Sequence, residues 1–371
     1  MIKNSSVYLP GLNGIRAIAA CGVMLSHINL AINSFGISNF SLFGFNDLHQ
    51  PNGWNFGEQG VTIFFVLSGF LITYLLLFEY KKVGTIDKKK FYIRRILRIW
   101  PLYYVYLAIS ILVFYFFTSI IPDNNILGFY VFLLANVPFL LLKTLPLCDH
   151  LWSIAVEEQF YLLWPHLFKY IHKSQKTLII VIGIFIATRI ALWTLYPFQF
   201  FTILFTVNRF DCMLFGALIA INVFNKTKIA TILNYKLTQA FAWIVVIIHL
   251  LNFEIVNSVI SLEFITLATG IIIIGQINIK NRLINLENIV CNFLGKYSFG
   301  IYIYHPLLIY FLSQTTLFDR IHDEQLRALS IFFLIIVCTI ATAVCSYELF
   351  EERFINLKHK FSVINSTNKP Q

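Results

Sequence analysis

Long apolar stretches separated by short polar connections make up nearly the whole chain. Eleven stretches are each close to the roughly 20 apolar residues that a helix needs to cross the hydrocarbon core of a bilayer. They lack the alternation over roughly 10-residue strands that a membrane β-barrel requires. The pattern therefore predicts an all-α, polytopic transmembrane helical bundle. The stretches are residues 12–32, 60–79, 99–121, 126–142, 151–168, 177–196, 201–224, 237–253, 258–277, 289–312 and 327–350.

Basic residues in the connections predict the orientation of the bundle. They gather near residues 81–98, 169–176, 226–236, 280–282 and 353–360. The positive-inside rule places all five groups, and with them both termini, in the cytoplasm. Three stretches lie between Arg98 and Lys169, but only an even number of crossings returns the chain to the same side. The segment 126–142 contains Asn136 and Pro138, so we predict that it is re-entrant or interfacial and that about ten helices cross. The alternative is that one basic connection departs from the rule.

Composition agrees with a membrane protein. Hydrophobic residues make up 58 % of the chain and charged residues 12 %, and the mean hydropathy is +0.74; a soluble domain has about 25 % charged residues. The net charge of +10 comes from cations beside apolar stretches, which indicates orientation and contact with membrane lipid rather than nucleic-acid binding. The cysteines and histidines lack metal-binding spacing, so no metal site is expected. We predict one membrane domain over residues 8–355 and a polar cytoplasmic tail over 356–371.

Arg16 and His27 are polar residues inside the first apolar stretch. Eleven residues are almost three helical turns, so both side chains share one face, about 16 Å apart along the axis. A cation on a membrane helix costs at least about 2.5 kcal/mol unless it faces a cavity or a partner. We therefore interpret them as lining a polar passage. The alternatives are interfacial snorkelling for Arg16 and ordinary packing for His27.

Glu58 precedes the second stretch, in which Gly60, Ser68 and Gly69 allow close approach of another helix. Glu58 is a candidate partner for His27 near the outer face of the membrane. An ordinary loop carboxylate is the competing interpretation.

Arg94, Arg95 and Arg98 lie on one side of a helix start in "KKKFYIRRILRIWPLYY". Clustered guanidinium groups suit bidentate phosphate binding. Orientation of the protein and contact with lipid headgroups are the alternative roles.

The segment "HLWSIAVEEQFYLLWP" places Glu157 and Glu158 among apolar residues, so at least one should be buried and need a partner. Arg189 and Arg209 are candidate partners. Trp152 and Ser153 of the same segment are candidate substrate-binding residues with Glu157. Ion pairing with a purely structural role is the alternative.

Two later segments add polar residues. In "VNRFDCMLFGALIA", Arg209 and Asp211 would lie on different faces and meet groups on other helices. In "GKYSFGIYIYHPLLI", Ser298, Tyr302 and His305 recur at helical spacing and share a face that could line the same passage. Packing is the alternative role for this face.

The order of these segments resembles the acyltransferase 3 family of bacterial inner-membrane O-acyltransferases. The similarity covers about residues 8 to 355. The matching segments are "LNGIRAIAACGVMLSH", "GVTIFFVLSGFLI", "RRILRIWPLYY", "LWSIAVEEQFYLLWP", "RFDCMLFGALIA" and "GKYSFGIYIYHPLLI".

The resemblance implies a multi-pass enzyme of the bacterial inner membrane. It implies an acyl-CoA donor, by family default acetyl-CoA, as co-substrate with no resident cofactor, and a hydroxyl acceptor on an envelope carbohydrate or lipid-linked glycan. It further implies that His27 is catalytic, with Arg16 as its companion, and that Arg95 and Arg98 serve donor binding or topology. His27 would act as a base or as an acyl relay. The alternative function is a transporter or flippase for an envelope precursor, without covalent chemistry.

Overall fold

The protein is almost entirely helical in a computed structural model that describes residues 5–119, 123–172, 174–197, 199–251, 260–362 and 364–367. Fifteen α-helices are joined by short turns and one long loop over residues 36–53. The helices are α1 (Leu12–Leu30), α2 (Trp54–Val83), α3 (Lys88–Thr118), α4 (Asn124–Val131), α5 (Asn136–Leu140), α6 (Trp152–Ile171), α7 (Gln175–Leu195), α8 (Phe200–Val207), α9 (Phe210–Phe224), α10 (Lys228–Leu233), α11 (Lys236–Leu250), α12 (Ser261–Ile277), α13 (Ile289–Ser313), α14 (Glu324–Ser346) and α15 (Glu352–His359).

Several helices start where a short polar side chain accepts a hydrogen bond from an otherwise unpaired backbone N–H group. Asp87 caps α3 through the amide of Lys90, and Asp323 caps α14 through the amide of Leu326. These caps determine the first residue of each helix, which the hydropathy pattern predicts only approximately. As a result α3 begins at Lys88, about three turns before the predicted apolar stretch.

Five described segments are long and apolar enough to cross a membrane. Two more apolar helices, α11 and α12, are shorter. The chain is therefore a membrane protein with several spanning helices, but the predicted count of about ten is not confirmed. The five segments are Trp54–Val83, Lys88–Thr118, Gln175–Leu195, Phe200–Phe224 and Glu324–Lys358.

The segment 126–142 does not form one continuous helix. It is divided between the last part of α4 and α5, which have 8 and 5 residues. Neither is long enough to cross a bilayer as a helix, which agrees with the prediction that this segment is not a crossing. Asn136 begins α5 and is buried, and its amide hydrogen-bonds to Asn208 and Gln159.

Helix α2 is the centre of the bundle. In the most apolar part of α2, 72 % of the residues are buried, whereas in that of α7 only 11 % are buried. On one side α2 packs on α9 and on the other on α1, which in turn packs on α13. Gly69 of α2 faces the carbonyl of Met213, and Gly216 of α9 faces the carbonyl of Val66, so closely that a methyl group on either glycine would collide with backbone. These contacts place α1, with Arg16 and His27, between α2 and α13.

The C-terminal segment packs against the bundle. Helix α14 continues through a π-helical turn, Tyr347–Glu351, into α15, and α15 packs on α3. A short strand, β2 (Ile364–Thr367), pairs in parallel with β1 (Ser5–Tyr8). The predicted boundary at residue 355 therefore falls within a helix, and the predicted tail is partly ordered structure. Its last four positions, 368–371, lie outside the described residues.

Candidate functional site

Two of the cavities among the described residues are lined in part by charged side chains. The larger, which we call the arginine cavity, has a volume of about 770 Å³ including its mouth and lies among α1, α2, α3, α6 and α13. Seven of the predicted site residues line it. They are Arg16, Arg95, Arg98, Ser153, Glu157, Ser298 and Tyr302.

Three guanidinium groups give the arginine cavity a positive character. Arg16 donates to Asn13 Oδ1 at 3.1 Å on its own helix and lies within electrostatic range of Arg95 and Arg98. The Arg95 guanidinium packs over Tyr161, 5.3 Å from the ring centre, and its Nε has no hydrogen-bond partner among the described residues. Like charges held together around a cavity favour an anionic ligand, because the ligand removes their mutual repulsion.

Arg94 points elsewhere. It forms an ion pair with Glu79 at 3.1 Å and donates to the carbonyl of Phe361 at 2.9 Å. It does not line the arginine cavity, so the structure divides the predicted arginine cluster. Arg94 attaches the C-terminal segment to α3, while Arg95 and Arg98 face the cavity.

Lys358 adds a further cation at this end of the bundle. It lies on α15 and interacts electrostatically with Arg98, Arg95, Arg16 and Arg94. In the sequence, Lys358 is only one of several basic residues near the C-terminus. Its approach to the arginines could not be predicted, because it depends on the packing of α15 on α3.

Glu157 is the acidic group of the arginine cavity. Its carboxylate accepts hydrogen bonds from Ser68 Oγ at 2.7 Å and from the Tyr161 hydroxyl at 3.2 Å. Glu158 instead accepts from the Trp100 indole at 2.9 Å. Among the described residues neither carboxylate pairs with Arg189 or Arg209, so the predicted partners are wrong.

The second cavity, which we call the histidine cavity, has a volume of about 360 Å³ including its open mouth and lies under the start of α2. His27, Glu58 and Trp152, all predicted, line it. Glu58 makes no hydrogen bond or ion pair to His27 in the described part of the chain, so their direct pairing is not observed. The other lining residues are Val23, Ser26, Trp54, Gly57, Val61, His150 and Tyr302.

His27 faces the protein interior and contacts a second histidine. Its Nδ1 lies 2.7 Å from Nε2 of His305, which is fully buried. His305 Nδ1 lies 3.1 Å from the carbonyl oxygen of Ile301, which can only accept, so Nδ1 carries the hydrogen. In a neutral ring His305 Nε2 then accepts from His27 Nδ1. We therefore assign the free lone pair of His27 to Nε2, which points toward Gly57 in the cavity wall.

Tyr302 and Val61 line both cavities. The Tyr302 hydroxyl is 2.5 Å from Ser153 Oγ and donates to the carbonyl of His150 at 2.8 Å. These bonds join α13 to the start of α6 at the boundary between the cavities. Of the predicted face, Ser298 and Tyr302 line the arginine cavity, whereas His305 is buried and lines neither cavity. In place of the predicted single passage the structure has two adjoining cavities.

Arg209 and Asp211 lie outside both cavities. Arg209 donates to Thr62 on α2 at 2.8 Å, and Asp211 pairs with Arg189 of α7 at 2.5 Å, so they do meet different helices as predicted. Arg189 also pairs with Glu263 at 2.6 Å. Asp211, Cys212 and Glu263 bring potential metal ligands together, but the Arg189 guanidinium already occupies both carboxylates. This placement supports a structural role for Arg209 and Asp211 rather than the predicted contact with substrate.

Six lining residues of the histidine cavity were not predicted, and two of them, His150 and Trp54, carry aromatic rings. His150 opens the segment that contains Trp152 and Ser153, and Trp54 begins α2. The position of His150 directly before this segment could have indicated that it belongs to the site. No sequence pattern indicated Trp54, because its position depends on how the loop over residues 36–53 folds across α1.

Comparison with known protein families matches residues 9–348 to an acyltransferase domain. The peptidoglycan O-acetyltransferase OatA of Listeria monocytogenes is 32 % identical over 209 residues, which cover 52 % of this chain and 30 % of that protein. The O-acetyltransferase OatA of Staphylococcus aureus is 31 % identical over 232 residues, covering 57 % of this chain and 34 % of that protein. A further S. aureus relative is 28 % identical over 94 % of this chain and 57 % of its own length.

The matched part thus spans between about a third and just over half of the length of these curated relatives. No solved structure matches the chain.

Proposed function

The chain belongs to the acyltransferase 3 family, and we propose that it moves an acetyl group from acetyl-CoA to a hydroxyl of an envelope carbohydrate. It is an enzyme that transfers acyl groups other than aminoacyl groups, which sets aside the alternative of a transporter without covalent chemistry. Its OatA relatives are O-acetyltransferases, one of them named for peptidoglycan. The proposal extends that activity and acceptor class to this protein.

One observation carries the proposal: Val61 and Tyr302 line both the arginine cavity and the histidine cavity. An acyl group therefore needs to pass only this shared wall to move from one cavity to the other. The large, charged coenzyme can stay on its own side of the membrane.

The arginine cavity suits the donor. Coenzyme A carries several phosphate groups, and Arg95 and Arg98 face the cavity beside Arg16. The basic connections near this end support a cytoplasmic location by the positive-inside rule, and acetyl-CoA is available in the cytoplasm. The histidine cavity would then receive the acceptor from the outer side of the inner membrane.

In the direct mechanism, His27 Nε2 takes the proton of the acceptor hydroxyl as its oxygen attacks the thioester carbonyl. The C–S bond then breaks, and the coenzyme A thiolate leaves and takes up that proton. The acceptor gains the acetyl group as an ester. His305 holds the hydrogen of His27 on Nδ1 and so keeps Nε2 available.

In the relay mechanism, His27 Nε2 itself attacks the thioester and the coenzyme A thiolate leaves. The acetyl group is then carried on the imidazole until the acceptor oxygen attacks it. The acceptor proton passes to the released thiolate or to solvent. Both mechanisms require the same nitrogen to face the boundary between the cavities.

The test is acetyl transfer by the purified full-length protein with radiolabelled acetyl-CoA and peptidoglycan fragments. His27→Ala should lower turnover at least about a hundredfold, the contribution of a positioned general base. His322→Ala, which removes an exposed histidine, should retain wild-type turnover. Near-normal turnover in His27→Ala overturns the proposal. Label retained on protein that is denatured rapidly at neutral pH without acceptor, and lost in His27→Ala, identifies the relay.

A further inference from the structure

The histidine cavity has features that the transfer step alone does not require. His150 is 3 % exposed, and neither of its ring nitrogens has a hydrogen-bond partner among the described residues. An imidazole buried without a partner costs free energy unless a ligand or water meets it. Because this ring lines the cavity, it is placed to hydrogen-bond to a molecule inside.

Two indole rings line the same cavity. Trp152 is stacked on Phe139, 5.2 Å between ring centres, and is met edge-on by Phe65, so its orientation is fixed. Trp54 is 54 % exposed at the first position of α2. The exposed indole of Trp54, beside groups that bind hydroxyls, matches a sugar ring, which presents C–H groups on its faces and hydroxyls at its edge.

Residues that flank His27 on α1 fix the position of Trp54. Ser26 donates to the carbonyl of Gly53 at 2.6 Å, directly before the tryptophan. Asn29, which is fully buried, accepts from the amide of Leu42 at 2.6 Å and donates to the carbonyl of Asn52. The loop is therefore held over the cavity by the same helix turn that carries His27, which reduces the entropic cost of binding.

The charge of the histidine cavity is opposite to that of the arginine cavity. Glu58 is the one lining residue with a formal charge among those described, and it is acidic. A phosphate group would be repelled here, whereas the hydroxyls of a neutral sugar can donate to the carboxylate.

We infer that the histidine cavity is the acceptor subsite, built for a neutral saccharide that packs on Trp54 beside Trp152 and hydrogen-bonds to His150 and Glu58. This inference rests on the proposed function and goes further, because it names the residues that bind the acceptor. It also predicts discrimination against phosphate-bearing acceptors.

The kinetic test measures KM for acceptor and for acetyl-CoA separately in the purified full-length protein, with chitotetraose as the neutral acceptor. Trp54→Ala should raise the acceptor KM about three- to tenfold, as expected for the loss of one aromatic contact. The KM for acetyl-CoA should stay within about twofold of the wild-type value, because the substitution does not change the arginine cavity. Trp54→Phe should recover most of the loss, and Trp193→Ala, an indole on α7 outside both cavities, should change neither constant. An unchanged acceptor KM in Trp54→Ala, or an equal rise in both constants, overturns the inference.

The charge test compares methyl N-acetylglucosaminide with N-acetylglucosamine 1-phosphate as acceptors. The neutral sugar should be preferred, and Glu58→Gln should reduce the preference. A preference for the phosphorylated sugar overturns the assignment of a neutral acceptor.

A binding test separates this inference from the proposed function. Chitotetraose is titrated into His27→Ala protein by calorimetry, with His27→Ala/Trp54→Ala as the matched variant. Binding that is lost with Trp54 supports the subsite even if no acetyl transfer is found. Acetyl transfer that depends on His27 but not on Trp54 supports the proposed function and overturns the proposed subsite. An absence of chitotetraose binding also overturns the subsite.

Discussion

Nδ1 of His27 lies 2.7 Å from Nε2 of His305, which joins α1 to α13 inside the bundle. Because His305 is held by the Ile301 carbonyl, the contact determines which nitrogen of His27 is free to react. In the proposed mechanism His305 is therefore a positioning residue that acts through His27.

Replacing His305 tests this role. His305→Leu removes the acceptor for His27 Nδ1 and should lower kcat roughly a hundredfold, within the contribution of a correctly protonated general base. His305→Gln can place an amide oxygen near the lost nitrogen and should retain most activity with a displaced pH profile. Steady-state kinetics over a pH range measures both. Equal kcat and identical pH profiles in the two variants would show that His305 only packs.

The arginines should separate into two classes. Arg95→Ala and Arg98→Ala each remove a charge that faces the arginine cavity, the proposed donor site. Each should raise the KM for acetyl-CoA about tenfold or more, since a hydrogen bond to a charged group contributes about 1.5–3 kcal/mol. Arg94→Ala breaks the pair with Glu79 and the bond to Phe361, so it should lower thermal stability with a smaller change in KM. Donor kinetics and thermal unfolding in detergent distinguish the classes. Coenzyme A affinity that is unchanged in the Arg95→Ala/Arg98→Ala double variant would limit these residues to orientation.

The buried ion group of Arg189, Asp211 and Glu263 should be structural. Arg189→Met leaves two carboxylates in the bundle without their cation and should cost about 3–5 kcal/mol of stability. Thermal unfolding in detergent measures the loss, with the exposed Arg320→Met as control. Unchanged stability of Arg189→Met, or a selective rise in the KM for substrate, would contradict the structural assignment.

The close contact of α2 with α9 gives a matched glycine comparison. A methyl group at Gly69 would collide with the Met213 carbonyl oxygen, whereas one at Gly183 of α7 meets nothing within 4 Å. Gly69→Ala should therefore destabilise the protein by about 1–3 kcal/mol through overpacking. Gly183→Ala should be neutral or stabilising, because alanine has the higher helix propensity. The melting temperatures of the two variants are compared with that of the wild type. An equal shift in both variants would mean that α2 and α9 accommodate the methyl group without loss of stability.

The pattern of apolar residues was sufficient to predict a helical membrane protein and most helix positions. It also predicted which residues share a helix face, such as Ser298, Tyr302 and His305, because helical spacing is a local property. The same local rule separated Arg209 from Asp211. The order of the motifs identified the family, which is a property of the chain alone.

Tertiary structure alone decided which faces meet. A helix that is apolar all round, like α2, gives no signal about which of its sides contacts protein and which contacts lipid. The pairing of Arg189 with Asp211 and Glu263, the contact of His27 with His305 and the approach of Lys358 to the arginines each join residues far apart in the chain. They depend on the packing of whole helices, since hydrophobic burial is non-directional and close contacts such as those of Gly69 and Gly216 select one arrangement among many.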